Sequence, residues 1–283
     1  MTHSGGSTPP SDTPRPQGQD EPSSAQRHRM PSAYTLYRAA VDDGHEQLAR
    51  ANSALAWSGL AAGLVIGFSL IARGMLRQHL PDAQWRPLVT HLGYTTGFLI
   101  VVLSRQQMVS ENALAPVLVL MRRGDRKTFI NVLRLWSVVF LANMVGTLLI
   151  ALVMAHTPTF DDASKQAFRA IAAESVAPSF GVTLLRGIFA GWLISSMAWM
   201  LHGVVYSRFL VIVLATYLIS LGHFSQVIAG AVDAFYAATT GTISWGKAIG
   251  GYIVPALVGN MIGGISLVAA LGYAQAAPEA HER

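Results

Sequence analysis

The chain has 283 residues, of which 52% are hydrophobic and only 12% charged, with a formal net charge of +5. Soluble domains carry about one quarter charged residues, so a water-exposed globule is excluded, as are collagen, a coiled coil and a disordered chain. The absence of cysteine excludes disulfide scaffolds, thiolate metal sites and cysteine nucleophiles.

Residues 1–33 are rich in Ser, Pro, Gly, Gln and charge. They lack the apolar side chains that offset the cost of ordering, which predicts a disordered N-terminal tail. No short apolar core follows a charged start, so a cleaved signal peptide is not expected. In residues 34–52, Tyr34, Tyr37, Val41 and Leu48 alternate with Arg38, Asp42, Asp43, Glu46 and Arg50. This is an amphipathic helix lying on the cytoplasmic membrane face or under a neighbouring subunit; a solvated helix is the plainer alternative. Residues 53–275 form the pore domain, and 276–283 a C-terminal tail.

Four apolar runs, 53–72, 135–155, 187–201 with its flanks and 249–273, are long enough to cross a hydrocarbon layer of roughly 30 Å. Two others are interrupted. Residues 88–121 contain Arg105-Gln106-Gln107-Met108-Val109-Ser110-Glu111-Asn112, and residues 209–238 contain Gly222-His223-Phe224-Ser225-Gln226. As one straight helix the first would measure about 51 Å, too long for the bilayer. A span broken near its middle fits, and irregular backbone at that depth survives only in protein or beside a wet cavity.

The halves repeat. Asn143-Met144-Val145-Gly146 matches Asn260-Met261-Ile262-Gly263, Gly59 and Gly63 match Gly187 and Gly191, and each break falls in the second span of its triplet. A triplet has an odd number of crossings, so the second copy enters upside down. The expected fold is an all-α membrane protein of six transmembrane helices, an inverted 3+3 repeat with two broken helices in an aquaporin-like bundle. Arg27, Arg29, Arg38, Arg50, Arg122, Arg123, Arg126, Lys127 and Arg208 outnumber the basic residues of the opposite loops, which places both termini in the cytoplasm. The loop 157–178 then lies outside and carries a short helix over 163–176. Because the basic residues sit at the ends of apolar runs, the net charge reads as membrane orientation and no nucleic-acid partner is expected.

The breaks are the candidate site. Broken-helix N-termini offer unpaired N–H groups to an anion. Ser110 and Ser225 add hydroxyls, while Met108, Val109, Ile219 and Phe224 form apolar constrictions, with ordinary bundle packing as the alternative. Arg105 and Glu111 flank one loop and pair to hold its shape, or Arg105 draws in anions. Gln107 belongs to the same loop, Asn112 caps the second half-helix, and Asn143 and Asn260 bond the broken segments. His91, His202 and His223 lack paired ligand spacing, so no metal site is expected. His223 alone, beside a break, is a candidate protonatable group. No catalytic triad or phosphate loop is visible, and neither an enzyme nor a cofactor is expected.

The loop Gln107-Met108-Val109-Ser110-Glu111-Asn112, the segment Gly187-Ile188-Phe189-Ala190-Gly191-Trp192-Leu193, the break Gly222-His223-Phe224-Ser225-Gln226 and the run Pro255…Gly259-Asn260-Met261-Ile262-Gly263-Gly264 together resemble the formate/nitrite transporter family over residues 34–273. The resemblance implies a homopentamer in a bacterial inner membrane, with one pore per protomer. It also implies passage of small monovalent anions or their acids, such as formate, nitrite, acetate, lactate or hydrosulfide. Met108-Val109-Ser110 stands where the family has Leu-Phe-Thr, Ile219 where an aromatic commonly guards the pore, and Gln226 where the central histidine usually sits. An amide both donates and accepts but cannot titrate as a histidine does near pH 6.5. The plainer role for Gln226 is to tie the broken backbone to a neighbour. Two rival functions are an aquaporin-like pore for neutral solutes, which lacks its usual Asn-Pro-Ala pair here, and a membrane scaffold that no longer conducts.

Overall fold

The computed structural model describes residues 1–2, 32–204, 206–268 and 270. The predicted tails, with Arg27 and Arg29, lie almost wholly outside the described residues. From Ser32 onward the described elements are all helical. Helix α1 (Ala33–Ala49) starts where the Ser32 hydroxyl accepts a hydrogen bond from Thr35 N at 3.2 Å. Helices α2 (Asn52–Val65) and α3 (Phe68–His79) form one nearly continuous rod. It runs past the expected end at residue 72 and carries Arg73 and Arg77. Helices α4 (Arg86–Leu92) and α5 (Thr95–Leu103) follow, then the first break, a 3-10 turn at Glu111–Ala113, and the half-helix α6 (Ala115–Arg123). Gly124, at φ 64°, ends α6.

Helix α7 (Arg126–His156), the longest of the described helices, closes the first half, and α8 (Asp162–Val176) follows it. The second half has the same plan. Then come α9 (Phe180–Leu201), α10 (Arg208–Leu221), the second break, and α11 (Val227–Thr239). A π-helical stretch at Lys247–Ile253 leads into α12 (Val254–Val268). Among the described residues five helices, Asn52–His79, Arg86–Leu103, Arg126–His156, Phe180–Leu201 and Lys247–Leu267, are long and apolar enough to cross a membrane, whereas α10 and α11 are apolar but shorter.

The most extensive helix pairings are α9 with α12 and α2 with α7, one in each half. Glycine permits both. A Cβ on Gly63 would collide with the Asn143 carbonyl oxygen, and one on Gly191 with that of Asn260. Small residues let backbones approach where no water drives helices together. The outer faces are greasy, with Leu141 and Val145 on α7, Leu185 and Phe189 on α9, and Leu210 and Leu214 on α10 all exposed. An apolar exterior of this size suits lipid or another subunit.

Two elements predicted for surfaces each pack one face on the body and leave the other exposed. Helix α1 buries Ala40, Val41 and Gly44 against α6, sharing a cluster with Leu114, Leu118 and Trp199. Its apolar stripe is therefore covered by its own chain. Helix α8 lies on α3 and α11, and its Phe168 is fully buried between Phe160 and Tyr236, edge to face with both.

Candidate functional site

The two breaks close with the same backbone turn. At the end of α5, Arg105 adopts φ 56°, Gln106 N donates to Val101 O at 3.0 Å and Arg105 N to Val102 O at 3.1 Å. At the end of α10, His223 adopts φ 52°, Phe224 N donates to Ile219 O at 2.9 Å and His223 N to Ser220 O at 3.1 Å. This is the helix-ending bond pattern that usually takes glycine at the left-handed position; here bulky residues hold it twice.

Each break is then laced by an asparagine from a long helix. Asn143 on α7 donates through Nδ2 to Gly59 O at 2.7 Å and Gln107 O at 3.0 Å, and its Oδ1 accepts from Val109 N at 3.2 Å. Asn260 on α12 donates to Gly187 O at 3.0 Å and Ser225 O at 2.8 Å, and accepts from Val227 N at 2.9 Å. One amide thus satisfies a carbonyl and an N–H that the broken helix leaves open, which an apolar interior requires.

Gln226 joins the two breaks. Its Oε1 accepts from Ala229 N at 2.7 Å, capping α11, and its Nε2 donates to the Ser110 hydroxyl at 2.8 Å. Met108 is 0% exposed, and Val109, Ser110 and Gln226 are each 1% exposed. Ile219 and Ser225 are also buried, whereas Phe224 is half-buried and stacks on Phe189, ring centroids 5.3 Å apart. The expected cap role of Asn112 is not what the structure has. Its Nδ2 donates to Gln107 Oε1 at 3.0 Å, its carbonyl accepts from Trp136 Nε1 at 2.9 Å, and α6 begins without a side-chain cap.

The expected Arg105–Glu111 ion pair is not formed. The left-handed turn leaves Arg105 exposed, while Glu111 opens the 3-10 turn with Oε1 enclosed and without a hydrogen-bond partner among the described residues. Both line a cavity of about 450 Å³ on the α1 side, along with Asp43, Arg50, His202 and Arg208. A second cavity, of about 260 Å³ on the α8 side, is lined by Arg73, His91, Tyr94, His223, Asp233 and Tyr252, among others. Met108, Val109, Ser110 and Gln226 line neither cavity.

The α8-side cavity holds residues that sequence reasoning missed. Arg73 Nη2 donates to both Asp233 carboxylate oxygens at 2.8 Å, a buried ion pair between α3 and α11. The signal was present, because charges inside apolar spans are costly and face a partner. His91 and His223, read separately from the sequence, meet edge to face at 5.3 Å, and His91 Nδ1 lies 2.7 Å from the Ser220 hydroxyl.

Two broken helices laced by asparagines, with buried polar residues between two cavities, define a membrane transport protein, and a family model described as formate/nitrite transporter matches residues 34–274. The chain belongs to the formate/nitrite transporter family. It is 35% identical over 248 residues to the inner membrane protein YfdC of Escherichia coli strain K12, covering 87% of this chain and 80% of that protein. It is 24% identical over 236 residues to the formate channel BtFdhC of Bacillus thuringiensis, covering 81% and 89% of the two chains. The solved structure of a pentameric formate channel with formate bound matches the fold with a TM-score of 0.65 at 18% identity, covering 81% of this chain and 95% of that one.

Proposed function

We propose that this protein is a homopentameric channel or facilitator for small monovalent anions or their acids in a bacterial inner membrane, one pore per protomer. In this reading α10 and α11 together make one crossing, as do α4 to α6, which gives six. The second triplet is inverted, both termini are cytoplasmic, and the α1-side cavity faces the cytoplasm.

The observation that carries the reading is the Gln226–Ser110 hydrogen bond, buried with Met108 and Val109 where the two breaks meet and reached by neither cavity. An arriving anion gives up water at the apolar residues and needs donors in return. The Gln226 amide and the Ser110 hydroxyl, bonded to each other at rest, both turn donors toward it. A small planar carboxylate or nitrite suits two such donors side by side. Gln226 holds no transferable proton at ordinary pH, so it cannot hand one to the substrate.

Liposomes carrying the protein are expected to take up formate and nitrite faster than empty ones, with no gain for glycerol or water. Glycerol flux without formate flux would replace the reading with a neutral-solute pore, and no flux of either would leave a non-conducting scaffold.

A further inference from the structure

The α8-side cavity has arginines, but each of its three has a carboxylate of its own. Arg77 lies 2.8 Å from Glu174 and Arg86 2.8 Å from Asp82, both pairs near the surface. Arg73 lies deeper, 2.8 Å from Asp233. Its guanidinium sits over the Tyr94 ring, 5.1 Å from the centroid, and Nε donates to Ser69 O at 3.3 Å. Nη1 makes no hydrogen bond among the described residues. Asp233 also accepts from the Ser175 hydroxyl at 2.7 Å.

A guanidinium that spends one nitrogen on Asp233 keeps another for a ligand. A cavity of about 260 Å³ has ample room for a small anion and its remaining water. We infer that this cavity is a binding site for a small oxyanion held by Arg73, and that Asp233 sets how tightly it is held.

The physical reason lies in the charge balance. A bare buried arginine would trap an anion, whereas conduction needs binding strong enough for entry and weak enough for release. Asp233 repels the anion that Arg73 attracts, so the ligand meets oriented donors with little net charge behind them. The inference rests on the reading of the chain as an anion pore, but its measurement does not.

Formate binding to the full-length protein in detergent, followed by calorimetry, separates the two. Asp233→Asn removes the repelling charge and is expected to bind formate on the order of tenfold tighter or more. The same variant should move formate more slowly in liposomes and gain more melting temperature from added formate than the parent does. Should Asp233→Asn alone fail to fold, the double variant Arg73→Gln with Asp233→Asn, which replaces the pair by neutral groups that can hydrogen-bond each other, is expected to fold and to lose formate binding. Formate affinity unchanged in Asp233→Asn, or retained in the double variant, overturns the inference. Binding that follows this pattern in a protein that passes no formate would sink the channel reading and leave this site standing.

Discussion

Arg105 and His223 share one backbone conformation, φ 56° and φ 52°, at the last turn of the first half of each broken helix. Left-handed geometry is costly for side chains with a Cβ, typically about 1 kcal/mol per residue. Glycine at either position is therefore expected to raise stability by about 0.5–1 kcal/mol, and valine to lower it by more. Thermal unfolding in detergent reads this. If His223→Gly lost stability while folding normally, the edge-to-face contact with His91 would outweigh the backbone term.

Asn143 and Asn260 make the same three kinds of bond, and each deletion strands an N–H, of Val109 or Val227 respectively. A buried group left without a partner costs roughly 1–3 kcal/mol. Asn143→Ala and Asn260→Ala should each lower the melting temperature and slow formate uptake by similar factors. A large loss from one and none from the other would show that the breaks are held by different means.

Gln226 has both ends of its amide engaged, at 2.7 Å and 2.8 Å. Gln226→Leu keeps the length and loses both bonds, so formate uptake should fall strongly while the protein still assembles. Gln226→His is expected to add a component of uptake that titrates near the usual histidine value of about 6.5. Uptake by the parent should instead follow only the substrate's own acid–base equilibrium. Radiolabelled formate across a pH series measures all three, and unchanged uptake in the Leu variant would move the selective step to another residue.

Asp125 caps α7 by accepting from Thr128 N at 2.9 Å and Thr128 Oγ1 at 2.8 Å. Those bonds, the backbone one first, hold its carboxyl below the ordinary value of 3.8. A depressed acid stabilises the folded state above its unfolded pKa and loses that contribution as pH falls through the folded one. Protection of the amides at the start of α7, taken relative to their intrinsic exchange rate, should accordingly fall below about pH 4. Asn caps helices as well as Asp, so Asp125→Asn should keep the protection and lose its pH dependence.

The breaks were legible because a polar run inside an apolar one has few places to go in a bilayer. The pairing of Asn143 with Asn260 was legible because their tetrads repeat. What stayed hidden depended on contacts far apart in sequence. Residues 53–72 end one short of Arg73, and Asp233 stands within a stretch read as apolar; nothing local says that they meet across 160 positions. Gln226 and Ser110 are 116 apart, so the sequence could propose each beside a break and not the bond between them. The Arg105–Glu111 pair failed for the opposite reason. Nearness in sequence suggested it, and the left-handed turn at Arg105 separated the two side chains. Whether α1 lies under lipid, water or protein is likewise a matter of its partner, and the partner is α6 of the same chain.

The Arg73–Asp233 pair also bears on how the chain is built. Ribosomes make Arg73 first, and Asp233 follows 160 residues later. Until then the first rod, read as a membrane span, holds a cation without its counter-charge, and lone charges inside a membrane are costly. On the six-span reading, the first half is therefore not a finished unit in lipid. Arg73 must stay near water or the insertion machinery until α11 arrives, and α11, too short to cross by itself, enters with its acid already matched. The ion pair that lines a cavity in the finished protein is, during synthesis, a late fastening of the second half onto the first.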